Sequence, residues 1–257
     1  MRAVVVIPTF NERDNIAPLI RRLTALVGPG APGGLPGLPM PLDLFFVDDN
    51  SPDGTGQLLE SMRPEIGNLR VLHRSGKLGL GTAYRTAFHQ LLAEGYDRLL
   101  SMDADLSHAP ESIPALLAAS EEADLVVGSR YVAGGGTQHC SAARRALSRT
   151  ANAGARLLLG LTLRDATAGF RCYRRELLAD LDRRDIRSNG YSYLLEMSYN
   201  AQRLGYRLAE VPIRFDNRVH EKSKMSRKEI WLASRTLLRL AGNRLFSGAR
   251  REHRVPG

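Results

Sequence analysis

Two aspartates, Asp103 and Asp105, are the strongest candidates for chemistry in this 257-residue chain. They follow the apolar run at residues 98–102, which is typical of a buried strand, so both would lie at its carboxyl end. Such carboxylates repel each other unless a cation is present, and Mg²⁺ or Mn²⁺ prefers carboxylate and phosphate oxygens. The pair therefore predicts a metal site for a diphosphate. A second D-x-D, Asp180 and Asp182, lies in a polar helix-like stretch and is interpreted as solvated surface.

Polar residues also follow other strand-like runs. Asp49 ends the second run, where its carboxylate would accept hydrogen bonds from a nucleobase or from ribose hydroxyls. Arg130 follows the fifth run, and Arg144 comes later; a guanidinium can fork onto two phosphate oxygens. The glycine-rich stretch GKLGLG, residues 76–81, lacks both the P-loop and the dinucleotide fingerprint, so it predicts only a tight strand-to-helix turn.

The elements that must position these residues alternate along the chain. Strand-like runs occupy residues 3–8, 42–47, 69–72, 98–102 and 123–128, and helical patterns lie between them at 12–27 and 81–94. This alternation predicts right-handed crossovers and an open α/β sheet, which binds ligands beyond the carboxyl ends of its strands. Four polar strand ends should therefore line one rim.

The second half of the chain changes in pattern. Helical stretches at 142–159, 191–204 and 226–246 and an extended stretch at 207–215 predict an extension of the same core. We predict a catalytic domain over residues 1–225 and a basic amphipathic C-terminal helix and tail over 226–257. Residues 28–41 are almost all glycine, proline and small apolar residues, which predicts a flexible surface insertion.

Composition sets the broad class. The chain is 43% hydrophobic and 25% charged, as globular proteins are. No apolar run approaches the roughly 20 residues that a transmembrane helix needs, and the apolar run near the N-terminus is too short for a signal peptide, so we expect a cytosolic chain. The two cysteines lack metal-type spacing, which predicts two free thiols.

Charge is concentrated near the C-terminus. The formal net charge is +9, and residues 218–257 contain eleven basic and three acidic residues. A local anionic partner is therefore expected: nucleic acid, membrane phospholipid or a phosphate substrate. The tail has no interleaved aromatic residues beyond Trp231 and Phe246 and no recognition motif, which argues against nucleic acid.

The helix at 226–246 is predicted to be amphipathic. Its apolar face would either pack on the domain or rest, with its basic stripe, on an anionic leaflet. The apolar face comprises Ile230, Leu237, Leu238, Ala241 and Leu245, and the stripe comprises Lys228, Arg235 and Arg239.

Taken together, the motifs resemble family-2 inverting glycosyltransferases, and within that family the dolichol-phosphate mannose synthases. The resemblance runs in order from residue 3 to about 230. It is carried by VVVIPTFNERDNI, FFVDDNSPDGTG, HRSGKLGLGTAYRTAF, SMDADLSHAP, VVGSRYVAGGGT, DATAGFRCYRRELL and SNGYSYLLEMSYNAQRLGYRLAEVPIRF. It implies a GT-A (Rossmann-like) fold with an open, mixed and mostly parallel sheet, a GDP-mannose donor and β-mannosyl transfer with inversion onto a polyprenyl (dolichyl) phosphate.

The resemblance also implies roles for residues at matching positions. Nucleoside contacts would come from Pro8, Phe10, Glu12 and Asp49, and contacts to the diphosphate and to Mg²⁺ or Mn²⁺ from Asp103, Asp105 and Ser107. Ser107 stands where relatives often have glutamine. Acceptor phosphate contacts would come from Arg130 and Arg144, and donor phosphate contacts from Arg218 and Lys224 in a late loop. There, HEKSK at 220–224 replaces a more usual glycine before Ser-Lys, and the family pattern does not require the insertion at 28–41.

The acceptor determines the expected mechanism. A phosphate monoester is already ionised at neutral pH, so transfer needs neither a general base nor a covalent enzyme intermediate. A lipid acceptor places the enzyme peripherally at the cytoplasmic face of a membrane, through an anionic surface or a separate membrane subunit. Three alternatives stay open: a UDP-glucose-dependent polyprenyl-phosphate glucosyltransferase, a transferase for a soluble acceptor, and a non-catalytic nucleotide-sugar-binding subunit.

Overall fold

The computed structural model describes residues 1–26, 42–216 and 227–246. The predicted insertion at 28–41 lies outside these residues. Seven strands form the main sheet, and two short strands form a second sheet beside it. The main sheet contains β1 Ala3–Thr9, β2 Leu42–Asp48, β3 Leu69–His73, β4 Arg98–Ser101, β5 Leu125–Ser129, β7 Arg171–Arg174 and β8 Leu208–Pro212. The small sheet pairs β6 Gly136–Gln138 with β9 Arg214–Asp216.

The strand order of the main sheet is β3-β2-β1-β4-β7-β5-β8. All neighbouring strands are parallel except β7, which is antiparallel to both β4 and β5. The expected open, mixed and mostly parallel sheet is confirmed. Strand β7 was not among the strand-like runs, because its four residues RCYR begin and end with arginine and lack an apolar run.

Helices cover both faces of this sheet. One face carries α1 Arg13–Ala25, α2 Thr55–Met62 and α4 Ile113–Ala119, which follows a 3₁₀ turn at Pro110–Ser112. The other face carries α3 Leu80–Ala93, α5 Ala142–Leu159, α6 Arg175–Asp182, α7 Tyr191–Arg203 and α8 Arg227–Phe246. Strand β1 shows why its sequence is continuously apolar: Val4 and Val6 belong to one core cluster, and Val5 and Ile7 belong to the other.

Helix α8 packs on α5 and α7 of its own domain. Leu240 and Thr236 are buried there, and Nη2 of Arg239 donates to Oε2 of the buried Glu196 at 2.8 Å. The predicted faces of this helix were therefore partly wrong: Arg239 turns inward because Glu196 needs a counter-charge, while Leu238 is exposed. No helix in the described ranges is long and apolar enough to cross a membrane.

The two cysteines differ in environment, although both are free thiols as predicted. Cys172 is buried in β7, and this burial raises the pKa of its thiol to about 12; Cys140 is partly exposed. The thiolate is the nucleophile, so Cys172 stays protonated and unreactive at pH 8.

We expect native protein to react with one equivalent of a thiol-specific chromogenic disulfide and unfolded protein with two. The Cys140→Ser variant should show no native labelling, and two fast equivalents in native protein would contradict this assignment.

Candidate active site

The loops after β1, β2 and β4 meet at one rim because these three strands are parallel neighbours. The β1 and β2 loops are joined by hydrogen bonds: the amide of Asn11 donates to Oγ of Ser51 at 3.1 Å. The amide of Glu12 likewise donates to Oγ1 of Thr55 at 3.0 Å. The β1–β4 pair lies where chain connections leave to opposite sides of the sheet, which is the usual ligand position in open α/β folds.

Each of these three loops contains a non-glycine residue whose backbone adopts the left-handed conformation, with a positive φ angle. The φ angles are 58° at Asn11, 56° at Asn50 and 63° at Leu106. Asparagine tolerates this conformation, but a leucine there stores strain of about 1–2 kcal/mol. Strained residues of this kind cluster at ligand sites, and Leu106 stands between Asp105 and Ser107.

The two aspartates of the D-x-D are held by neighbouring groups. Oδ1 of Asp105 accepts hydrogen bonds from the amide of Ser107 at 3.0 Å and from its hydroxyl at 2.5 Å. The backbone amide of Asp103 donates to Nδ1 of His108 at 3.1 Å, and the side chain of Asp103 remains 34% exposed at the rim. Ser107 is buried, and its hydroxyl therefore orients the Asp105 carboxylate.

His108 is a site residue that the sequence argument missed. The ring is buried, stacks on Phe170 with centroids 5.1 Å apart, and meets Phe215 edge-on at 5.5 Å. Because Nδ1 accepts the Asp103 amide, the proton of a neutral ring is on Nε2, and the 3.9 Å between Nδ1 and Oδ2 of Asp103 is not an ion pair. His108 lies within SMDADLSHAP, so the motif contained the signal.

The residues at this rim fit a metal that is shared with a nucleotide. A Cβ at Gly169 would lie 3.5 Å from both carboxylate oxygens of Asp103, so the backbone of the loop before β7 passes close to this carboxylate. Across the described ranges, no three His, Cys, Asp or Glu side chains form a dedicated metal cluster. Ions such as Mg²⁺ commonly use one or two carboxylates and complete their coordination with substrate phosphates. Asp103 and Asp105 match this second type of site.

The residues expected to contact the nucleoside lie around the β1 and β2 ends. Pro8 and Phe10 are partly exposed, and Nζ of Lys77 lies 4.3 Å from the Phe10 ring centroid. Glu12 is buried, and its Oε2 accepts a hydrogen bond from Nδ2 of Asn15 at 2.7 Å. The structure thus places an aromatic ring, a cation and a carboxylate at one part of the rim.

Asp49 has a partner that the sequence argument did not identify. Nε of Arg74 donates to Oδ1 of Asp49 at 2.6 Å, and both side chains are buried. The same guanidinium donates to Oγ1 of Thr82 at 2.8 Å and to the carbonyl of Gly79 at 3.3 Å. Arg74 therefore ties the turn before α3 to the end of β2, and Asp49 contributes an oriented carboxylate. Its contact with a nucleoside stays a prediction.

Arg130 is held in a buried ion pair with Asp165. Nε donates to Oδ2 at 2.7 Å, Nη2 donates to Oδ1 at 2.7 Å, and Asp165 is fully buried. The guanidinium also lies 5.4 Å from the Phe215 ring centroid. Two consequences follow. The position of Arg130 is rigid, and the pair carries no net charge, so an anion that binds Arg130 also needs positive potential from other cations.

Helix α5 is attached to the Arg130 region along its inner ridge. Tyr131 donates from its hydroxyl to Oγ of Ser148 at 2.7 Å, and Nδ2 of Asn152 donates to Oγ1 of Thr167 at 3.1 Å. Arg144 lies one turn before Ser148 and shares its face of the helix. Arg218 and Lys224 lie outside the described residues.

A fully buried arginine supports the loop that carries Asp165 and Gly169. Arg171 donates to the carbonyls of Ala168, Ala166 and Leu194 at 2.7, 2.7 and 2.8 Å. These bonds hold residues 165–170 against α7 and the sheet. No local pattern indicated this role, because an arginine in RCYR looks like a surface charge.

Solved structures share this architecture. Glucosyl-3-phosphoglycerate synthase from Mycobacterium tuberculosis, in complex with Mn²⁺, uridine-diphosphate-glucose and phosphoglyceric acid, superposes with a TM-score of 0.63 at 25% identity, covering 94% of this chain and 80% of that one. TarS 1–349 from S. aureus, in complex with UDP-GlcNAc, gives 0.60 at 18% identity and covers 98% and 74%. The expected GT-A fold is confirmed.

Curated sequences are more closely similar. An undecaprenyl-phosphate mannosyltransferase from Micrococcus luteus is 42% identical over 226 residues, which is 88% of each chain. A polyprenol monophosphomannose synthase from Mycolicibacterium smegmatis is 41% identical over 231 residues, or 89% of this chain and 83% of that one. The family model described as "Glycosyl transferase family 2" matches residues 4–182. By fold and by sequence, this chain belongs to glycosyl transferase family 2.

Proposed function

We propose that this enzyme transfers mannose from GDP-mannose to a polyprenyl (dolichol-type) monophosphate, with inversion, to give polyprenyl-phosphate β-mannose. The proposal is supported by the position of the site residues together with the names of the curated relatives. Asp103, Asp105 and the Arg130–Asp165 pair lie at the ends of strands of one sheet, and the two curated relatives bear names for mannosyl transfer to a polyprenyl phosphate.

On the donor side, Asp103 and Asp105 would hold Mg²⁺ or Mn²⁺. When bound, the ion supplies Lewis-acid stabilisation of the departing diphosphate. Ser107 was predicted as a metal contact; we assign its hydroxyl instead to holding Asp105, because it donates there. Pro8, Phe10, Glu12 and Asp49 would contact the nucleoside. Arg218 and Lys224 would contact the donor phosphates.

On the acceptor side, Arg130 and Arg144 would bind the phosphate of the lipid. The acceptor oxygen is already anionic, so its attack on the anomeric carbon needs positioning and removal of water, not a base. Arg130 is preorganised for this task because Asp165 fixes its guanidinium plane. Attack from the face opposite the leaving diphosphate inverts the anomeric carbon. Asp105, Arg130 and Arg144 are the residues we assign to catalysis.

A donor panel tests the proposal. Purified enzyme with Mn²⁺ and undecaprenyl phosphate receives radiolabelled GDP-mannose or UDP-glucose, and the product is extracted into organic solvent. We expect organic-soluble label from GDP-mannose and a β-linked product.

Each other outcome supports a different alternative. Label from UDP-glucose alone would support the glucosyltransferase, which the UDP-glucose complex of the structural relative makes the second candidate. Label transferred only to water-soluble acceptors would support the soluble-acceptor enzyme, and donor binding without turnover would support the non-catalytic subunit. An α-linked product would overturn the direct mechanism.

A further inference from the structure

The solvent-facing side of α5 lacks charge. Its 18 residues contain four arginines and no acidic residue, and all four arginines lie toward the edges of the exposed arc. The arc itself consists of alanine, glycine, threonine and leucine, with Leu157 82% exposed and Leu147 and Leu158 also exposed. A helix on the surface of a soluble domain normally places its charged residues on this side. The apolar arc of α5 is therefore a candidate docking surface.

Helix α8 continues the same surface. It packs beside α5, where Nη1 of Arg244 donates to the carbonyl of Leu158 at 3.0 Å. On its outer side Trp231 and Leu238 are 59% and 68% exposed, and the guanidinium of Arg235 lies 5.6 Å from the Trp231 ring centroid. Tryptophan beside arginine suits a boundary between apolar and aqueous phases.

A basic cavity opens along one edge of this surface. It has a volume of about 540 Å³, and its lining includes Arg130, Arg149, Arg156 and Arg164 but no acidic side chain. Within the described parts of the chain, the guanidinium groups of the last three have no hydrogen bond or ion pair with a carboxylate. Gathering like charges without counter-ions is unfavourable, so an anion is the expected occupant.

We propose that the α5–α8 face, defined by Leu147, Leu157, Leu158, Trp231 and Leu238 with Arg149 and Arg156 at its edge, docks on an anionic phospholipid bilayer. The leucines and the tryptophan enter the interfacial layer, and headgroup phosphates enter the basic cavity. Helices α5 and α8 together contain nine basic residues and one acidic residue, which complements an anionic surface.

The proposal rests on the proposed function, because a polyprenyl phosphate stays in the bilayer. Arg130 lines the cavity, so docking of this face brings the acceptor arginine to headgroup level. The inward-facing Arg239 takes no part, and the docking surface is therefore centred on α5 and not on the basic stripe first expected on the last helix.

Flotation of the full chain with lipid vesicles tests this surface. The vesicles are phosphatidylcholine alone, or an equal mixture of phosphatidylcholine and phosphatidylglycerol, without polyprenyl phosphate or sugar donor. We expect binding to the anionic vesicles only. Leu157→Glu and Arg156→Glu should each weaken that binding by roughly tenfold or more. Leu157→Met should retain it.

Arg21→Glu provides the matched control for charge, because Arg21 is exposed on α1 at the opposite face of the sheet. It should bind vesicles as the unaltered chain does. Absence of binding to protein-free anionic vesicles would overturn the proposal and would favour a protein partner or a second copy. Unchanged binding by both Leu157→Glu and Arg156→Glu, or equal loss with Arg21→Glu, would also overturn it.

A second measurement separates this proposal from the proposed function. With a short-chain polyprenyl phosphate in detergent, Leu157→Glu should retain the full rate of transfer. Vesicle binding without any transfer would refute the proposed function and leave the docking surface standing. Loss of transfer by Leu157→Glu in detergent would contradict a role confined to docking.

Discussion

Asp105→Asn is expected to lower kcat for sugar transfer by roughly a thousandfold or more, while the protein stays folded. The substitution removes the negative charge that a divalent ion requires. It keeps an oxygen that can accept the hydrogen bonds of Ser107, which donates to Oδ1 from its amide at 3.0 Å. The measurement is the initial rate with radiolabelled donor at saturating Mn²⁺, together with thermal unfolding of the variant.

The second D-x-D supplies the matched control. Asp182→Asn makes the same chemical change at the end of α6, where the carboxylate meets the exposed His89 at 2.8 Å. Its kcat should equal that of the unaltered enzyme. Calorimetry adds an independent readout: Mn²⁺ should strengthen donor binding to the Asp182→Asn protein and not to the Asp105→Asn protein. Retained transfer by Asp105→Asn would remove the metal assignment.

Arg171→Leu is expected to lower the free energy of unfolding by about 3 kcal/mol or more. The guanidinium is fully buried and satisfies the carbonyls of Ala166, Ala168 and Leu194. Leucine leaves these three acceptors buried without donors and leaves space where the longer side chain packed. Guanidinium chloride denaturation measures the loss.

Arg183→Leu is the control for the loss of unfolding free energy that we expect in Arg171→Leu. The Arg183 side chain is 73% exposed and pairs with Asp180 on the same helix. Because exposed ion pairs contribute little, its unfolding free energy should change by less than about 1 kcal/mol. Similar losses for the two variants would show that Arg171 does not support the 165–170 loop as assigned.

The local pattern of apolar and polar residues was sufficient to predict many of the strands and helices. Helix α5 occupies the residues that its periodicity predicted, and β1, β2, β3 and β4 agree with the apolar runs to within one residue at each end. The polar strand ends also met at a rim as expected, because parallel neighbouring strands end at the same edge. These features depend on the spacing of apolar and polar residues over short stretches of the chain, which can be read from the sequence.

The partners of the site residues could not be predicted in this way. Arg74 meets Asp49 across 25 positions of the chain, and Asp165 meets Arg130 across 35. Arg74 and Asp165 both lie in motifs that carry the family resemblance. Their neighbouring residues do not distinguish a buried ion-pair partner from a surface charge. Helix α8 shows the same limit, since the inward turn of Arg239 depends on Glu196 from α7.

The sequence alone therefore determined the alternation of strands and helices in the first half of the chain, the carboxylates at the strand ends and the family to which the chain belongs. The tertiary structure decided which charges are paired, that Ser107 holds Asp105, that Arg130 is neutralised by Asp165, and that the uncharged arc of α5 faces outward. The physical reason is that periodicity acts over a few residues, whereas burial, ion pairing and exposure depend on contacts between segments far apart in the chain.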